Sequence, residues 1–110
     1  MILKLVTISN ARSLRSFLSP TEITFLEDHG RNLTIMEISS PDRPGLLACI
    51  GQILSERDIV IQAAKIQTLG ERVEDVFFLT TSEGLRLGDD QLCDALQADL
   101  CRALDKDNAA

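Results

Sequence analysis

Aromatic residues other than phenylalanine are missing from this 110-residue sequence, which has no Trp, no Tyr and four Phe. The Phe residues are not interleaved with Arg or Lys, so the stacking surfaces that bind single-stranded nucleic acid are not expected. Basic residues are few as well, with 11 Lys and Arg against 17 Asp and Glu and a net charge of −6. Because phosphate backbones bind to basic surfaces, the composition argues against a nucleic-acid partner.

Long apolar runs are absent, and no stretch approaches the roughly 18 residues that span a bilayer. The start, MILKLVTIS, has no small-residue cleavage pattern and is not interpreted as a signal peptide. We therefore expect a cytoplasmic protein with no membrane partner. The length fits one domain with a single modest core.

Histidine and cysteine, the usual zinc ligands, are sparse. His29 is the only histidine, and Cys49, Cys93 and Cys101 are not spaced as zinc ligands. Three cysteines among leucines in a reducing compartment are expected to be small buried side chains rather than redox groups. The sequence thus predicts no metal site and no catalytic thiol.

Alternating and helical hydrophobic patterns are clear after residue 20. The predicted order is strand, strand, helix, strand, strand, helix, with strands over 21–28, 33–39, 59–68 and 73–81. The first helix has Pro44 in its first turn and a stripe of Leu47, Ile50 and Leu54. The second is capped by Asp89 or Asp90, and its stripe is Leu92, Leu96, Leu100 and Leu104.

We assign residues 21–105 to the domain on this pattern. Residues 1–20 are predicted to be a linker or N-terminal extension, in which 2–8 is a short strand or linker. Residues 106–110 are predicted to be a disordered tail. All three boundaries follow from where the periodic pattern starts and stops.

The strand–helix–strand–strand–helix portion matches the ferredoxin-like split βαβ motif without its last strand. The strand over 21–28 forms a hairpin with 33–39, whose loop has Gly30 for a positive φ, and lies where that last strand is usually found. We therefore predict an α+β fold with a permuted ββαββα order. Its four-stranded antiparallel sheet has both helices on one face.

The helix-free face of that sheet is predicted to be partly apolar. Val76 and Phe78 lie on one side of their strand, and Val73, Phe77 and Leu79 lie on the other. Large exposed apolar patches usually mark an interface. We expect a homodimer through this face or contact with an adjacent domain, unless the N-terminal segment covers it.

The junction S-S-P-D-R-P-G joins a predicted strand to a predicted helix. Gly45 permits a ligand to approach the backbone closely, and the N–H groups of Gly45, Leu46 and Leu47 have no intrahelical acceptor. At the positive end of the helix dipole these donors suit a carboxylate, whereas Asp42 suits an ammonium group. The junction therefore has the donors and the charge to bind a zwitterion.

A structural role for the same junction is an equal alternative from the residues alone. Ser40 or Asp42 caps the helix in that interpretation, and Arg43 is solvated. Further along, Glu74 and Asp75 are neighbours on a strand and point to opposite faces, which is poor geometry for a carboxylate pair. We expect that hairpin end to be solvated or to contact a neighbouring domain.

Asp42-Arg43-Pro44-Gly45-Leu46-Leu47 resembles the signature of ACT domains, which bind amino acids and regulate attached enzymes. A second stretch narrows the resemblance to one kind of ACT domain: residues 64–77, A-K-I-Q-T-L-G-E-R-V-E-D-V-F. It is similar to the C-terminal ACT domain of bifunctional uridylyltransferase/uridylyl-removing enzymes, which modify the PII nitrogen-signalling protein. The similarity runs from about Ser16 to Leu104 and includes the leading strand T-E-I-T-F-L-E-D.

This resemblance implies a regulatory domain that binds an amino acid, with glutamine as the suggested effector, and that contacts other domains of a parent chain. The ligand-binding residues that it implies are Asp42, Arg43, Gly45, Leu46 and Leu47 at the junction, and Ile59, Ile61 and Gln62 on the next strand of this or a neighbouring domain. A free-standing ACT-like interaction module without a small-molecule ligand is the alternative.

No catalysis is expected of this chain itself. The enzymes it resembles use a Gly-Ser motif, paired aspartates that hold magnesium, and a His-Asp cluster, whereas this sequence has one His and no Gly-Ser dipeptide. We therefore expect a C-terminal fragment that needs no cofactor of its own.

Overall fold

A five-stranded antiparallel sheet organises residues 21–106, the part of the chain that the computed structural model describes. The elements are β1 (Glu22–Asp28), β2 (Leu33–Pro41), α1 (Leu46–Glu56), β3 (Ile59–Lys65), β4 (Thr68–Leu69), β5 (Arg72–Thr81) and α2 (Asp90–Lys106). The predictions made for residues 1–20 and for the tail at 106–110 lie outside the described residues, except that Lys106 is described and is the last residue of α2. Neither described helix is long and apolar enough to cross a membrane.

The strands lie in the order β1-β2-β5-β3, and β4 pairs with β5 off this path. β1 occupies the edge beside β2, which is the position predicted for it, with Phe25 opposite Met36. All the pairings are antiparallel. Both helices contribute to one core together with alternate residues of the strands, so the predicted layers are present.

The prediction of four strands is wrong, because the segment predicted as one strand over 59–68 bends at residues 66–67 and continues as β4. Two hydrogen bonds hold this bend. The Glu74 N–H donates to the Gln67 carbonyl at 2.8 Å, and the Gln67 N–H donates to Oδ1 of Asp75 at 3.2 Å. Seven elements therefore replace the six that were predicted within the described residues.

β3 is the other long edge of the sheet and contains a bulge. Ile61 lies opposite Leu79 and Ala63 lies opposite Phe78, so Gln62 is the extra residue. Its Nε2 donates to Oγ1 of Thr80 at 2.9 Å. After Ile59 every residue of this strand is exposed.

The loop between β1 and β2 takes its positive φ from Asn32, at 57°, so the prediction that Gly30 supplies it is wrong. Asp28 organises the loop by accepting the Arg31 backbone N–H at 3.0 Å and Arg31 Nε at 2.8 Å. These two bonds lower the pKa of Asp28. A side-chain bridge, rather than a glycine, thus fixes the turn.

Leucine and isoleucine side chains of the two helices meet the sheet in the core. The fully buried helix residues are Ile50 and Leu54 of α1, and Leu96, Leu100 and Leu104 of α2. The predicted stripe of α1 is wrong at its first position, because Leu46 is buried and Leu47 is 47% exposed. Arg57, just after α1, pairs with Asp99 of α2 and joins the two helices.

The start of β1 is bonded to the end of α2. Oγ1 of Thr21 donates to Oδ1 of Asp105 at 2.7 Å, and the Thr21 N–H reaches the same oxygen at 3.1 Å. The hydroxyl of Ser40 lies 3.1 Å from that of Thr21. This cluster fixes both ends of the described domain at one place.

Apolar side chains are present on the helix-free face, as predicted. Leu26 is 54% exposed and Val60 is 39% exposed, whereas Ile35, Val76 and Phe78 are half-buried. The Arg31 guanidinium lies 5.6 Å from the centroid of the Phe78 ring. What covers this face remains a prediction.

Candidate ligand-binding site

α1 begins at Leu46, immediately after Gly45 in a left-handed conformation with φ of 79°. No side chain caps the helix, so the predicted capping by Ser40 or Asp42 is wrong. The Ser40 hydroxyl instead bonds near the end of β2, donating to the Pro41 carbonyl at 3.2 Å. Pro44 precedes the helix rather than forming its first turn, because the chain turns at Pro44 and Gly45.

Backbone donors are available where this helix begins. Within residues 21–106, no acceptor contacts the N–H groups of Gly45, Leu47 or Ala48. The Leu46 N–H, predicted to be free, donates to the Arg43 carbonyl at 3.3 Å, because the preceding turn closes on it. Ala48 therefore takes the place of Leu46 among the available donors.

A cavity of about 230 Å³ lies beside these amides. Its lining consists of Asp42, Arg43, Gly45, Leu46, Leu47 and Ala48 on the junction side, and of Ile66, Thr68, Val73 and Asp75 on the sheet side. Five of the predicted binding residues thus meet in one place. Because one water occupies about 30 Å³ in the liquid, the space is large enough for a small organic molecule.

The other three predicted residues do not line this cavity. Ile59 is buried in the core at 6% exposure, and Ile61 is exposed on the β3 edge. Gln62 is the bulged residue bonded to Thr80. Their predicted role in binding remains a prediction that involves a neighbouring domain.

Asp75 lines the cavity and was missed by the sequence analysis. Its side chain is only 1% exposed, so the expected solvated position is wrong for this residue, whereas Glu74 beside it is exposed. Oδ1 accepts the Gln67 N–H, but Oδ2 is buried and has no hydrogen-bond partner among the described residues. The available signal was strand alternation, which places Asp75 on the same side as Val73 and Phe77.

Two carboxylates, those of Asp42 and Asp75, and the Arg43 side chain are the charged groups that line the cavity. Burial raises the pKa of Asp75, the Gln67 N–H partly opposes that rise, and the nearby charge of Asp42 adds to it. Asp42 is exposed, whereas Asp75 lies inside. Amide donors and acidic acceptors therefore line the same small space, and this combination matches a molecule with both a carboxylate and N–H donors.

Two of the three cysteines, Cys93 and Cys101, lie where burial disfavours the thiolate. Burial, followed by the charge of Glu27, raises the pKa of Cys93 to about 11, and burial also raises the pKa of Cys101. Such thiols are poor nucleophiles at neutral pH. Within residues 21–106, no group of three or more His, Cys, Asp or Glu side chains is arranged to hold a metal ion.

Comparison with known proteins agrees with the fold. The sequence profile of the ACR family N-terminal ACT domain matches residues 30–106. The bifunctional uridylyltransferase/uridylyl-removing enzyme of Pseudomonas entomophila (strain L48) is 52% identical over 99 residues, which are 90% of this chain and 11% of that enzyme. The enzyme of the same name from Stutzerimonas stutzeri (strain A1501) is 48% identical over 97 residues, again 11% of its length.

This chain therefore spans only 11% of the length of these curated relatives. The profile, in contrast, covers most of the chain and includes both helices and four of the five strands. The chain belongs to the ACT-domain family of regulatory domains.

Proposed function

We propose that this chain is a regulatory ACT domain that binds an amino acid, with glutamine as its ligand. The observation that supports this most is the cavity at the start of α1, where unbonded amides and two carboxylates line one space. We further propose that the domain lies at the C-terminal end of a cytoplasmic PII uridylyltransferase/uridylyl-removing enzyme. The names of the relatives support the parent enzyme, and the C-terminal position rests on the resemblance of residues 64–77.

The proposed binding mode uses both signs of charge. The α-carboxylate of the ligand accepts the N–H groups of Leu47 and Ala48, where the helix dipole favours an anion. The α-ammonium lies beside Asp42, whose exposed position puts it at the mouth of the cavity. Hydrogen bonds to charged groups of this kind contribute about 1.5–3 kcal/mol each.

Regulation requires that glutamine bind one arrangement of the parent enzyme better than another, because a ligand with equal affinity for both shifts nothing. We propose that the bound amino acid favours one of the two activities, UMP addition to PII or its removal. Magnesium in the parent enzyme belongs to its catalytic domains in this proposal, and this domain needs no cofactor.

Isothermal titration of the 110-residue chain with L-glutamine tests the proposal. We expect Asp42→Ala to weaken binding at least about tenfold, because the α-ammonium loses its counter-charge. Asp94→Ala is the matched control, because Asp94 is an exposed aspartate on α2 outside this cavity. Absence of binding in this chain and in the parent enzyme would contradict the proposal.

A ligand-free interaction module is the second candidate, and the exposed Leu26 and Val60 on the helix-free face favour it. In that case the chain forms a homodimer or contacts a neighbouring domain through this face. Sedimentation equilibrium then shows association, Leu26→Lys weakens it, and Asp42→Ala leaves it unchanged. Glutamine produces no heat of binding under this second reading.

A further inference from the structure

We infer that Asp75 determines the specificity of this cavity, by accepting a hydrogen bond from the side-chain amide of the bound amino acid and excluding the corresponding acid. The inference rests on the proposed function, since it takes the ligand to be an amino acid. Asp75 is not among the binding residues predicted from the sequence.

The orientation of the ligand follows from which polar groups are exposed. Asp42 and the residues that present the free amides, Leu47 and Ala48, are all exposed and therefore lie toward the mouth. Asp75 is 1% exposed and lies on the sheet at the inner side. A ligand whose α-carboxylate and α-ammonium are bound at the mouth must extend its side chain inward, toward Asp75.

The buried carboxylate of Asp75 has room for a hydrogen-bond donor from the ligand. Oδ2 of Asp75 is buried and lacks a partner among the described residues, although Oδ1 is bonded to the Gln67 N–H. A buried acceptor without a hydrogen bond is unfavourable, so a ligand N–H that reaches it gains free energy relative to a ligand without one. The terminal NH₂ of a carboxamide is such a donor.

The same oxygen disfavours an acidic side chain. A glutamate side chain would bring a further carboxylate next to the buried one of Asp75, in a cavity whose other charged lining residues are Asp42 and Arg43. Like charges at short distance in a desolvated site repel strongly, and a site built to bond a donor rejects an analogue that lacks it. The cavity therefore selects glutamine against glutamate by charge, although the two molecules have nearly the same shape.

Isothermal titration with L-glutamine and L-glutamate at neutral pH tests this inference. We expect the wild-type chain to prefer glutamine at least about a hundredfold, and Asp75→Asn to reduce that ratio at least about tenfold. Asparagine keeps an oxygen for the Gln67 N–H and removes the charge. Glu74→Gln is the matched control, because it makes the same charge change on the adjacent, exposed residue and should leave the ratio unchanged.

A second measurement needs no substitution. Glutamine should shift the ¹³Cγ resonance of Asp75 in the wild-type chain, whereas that of Glu74 Cδ should stay in place. An unchanged Asp75 resonance on saturation with glutamine, or a glutamine preference that survives in a folded Asp75→Asn variant, would overturn the inference and leave amino-acid binding intact. Failure of both the wild-type chain and the parent enzyme to bind any amino acid would overturn both proposals.

Discussion

Asp75 makes folding stability depend on pH, in addition to its place in the cavity. Burial raises its pKa in the folded state above the ordinary value of 3.8, the Gln67 N–H opposes the rise, and Asp42 adds to it. Between the unfolded and the folded pKa, the folded state holds more protons than the unfolded chain. The contribution of Asp75 to stability is therefore fully present below pH 3.8 and is lost as the pH rises through the folded pKa.

Asp75→Asn removes this titration. We expect the variant to gain stability relative to wild type on going from a pH near 4 to neutral pH, since only wild type then ionises a buried carboxyl group. Urea unfolding of both proteins at the two pH values measures the change, and Glu74→Gln serves as the control. A difference in unfolding free energy that is the same at both pH values would show that Asp75 does not titrate in this way.

Local sequence predicted part of the binding site and missed the rest for a physical reason. Residues from Asp42 to Leu47 are contiguous, so one turn and one helix start bring them to the same cavity. Asp75 reaches that cavity only through the pairing of β5 with its neighbours. Strand alternation puts it on the same side as Val73 and Phe77, but the hairpin end that contains it was expected to be solvated or to contact a neighbouring domain.

At the scale of elements, the start of α1 depends on the left-handed conformation of Gly45. Its φ is 79°, and a Cβ built there meets nothing within 4 Å, so an added methyl group strains the backbone without a clash. Gly51, inside the same helix, has no positive φ and also has open space around it. Alanine substitution at the two positions therefore differs in backbone strain, which only Gly45 imposes, and not in the space available for the methyl group.

We expect Gly45→Ala to lower the free energy of unfolding by about 1–2 kcal/mol, because L-residues are disfavoured in the left-handed region. Gly51→Ala, the matched control, should raise it by about 0.5–1 kcal/mol, because alanine is the better helix former. Equilibrium urea unfolding measures both. Equal effects of the two substitutions would contradict the assignment of α1 and its first turn.

The hydrophobic pattern predicted the helices and strands but not where one strand bends. The hydrophobic period located both helices and both hairpin partners, but it treated residues 59–68 as one strand. The bend at 66–67 depends on bonds from Gln67 to Glu74 and Asp75 of the next long strand, β5, and a hydrophobic pattern does not show such bonds. Similarly, the first buried position of α1 shifted from Leu47 to Leu46 because the turn at Pro44 and Gly45 sets the phase of the helix.

In the whole molecule, the arrangement of one sheet with both helices on one face was predicted correctly because the order and length of the connections determine it. A hairpin must place β1 beside β2, and the short connections leave few other arrangements. The partner of the helix-free face was not predictable in the same way, since exposed Leu26 and Val60 indicate contact but not its identity.

The bonds between Thr21 and Asp105 hold the two ends of the domain close together, so the order of its elements can be changed by circular permutation. In a circular permutant, a short Gly-Ser linker joins residue 106 to residue 21 and the new termini lie between residues 29 and 32. Its elements then follow one another in the order β2, α1, β3, β4, β5, α2, β1. Apart from the two-residue β4, that is the usual strand–helix–strand–strand–helix–strand sequence. Since every pair of packed elements stays in contact, we expect a folded protein with an unchanged circular dichroism spectrum. An unfolded product would show instead that the covalent β1–β2 turn is needed to form the sheet.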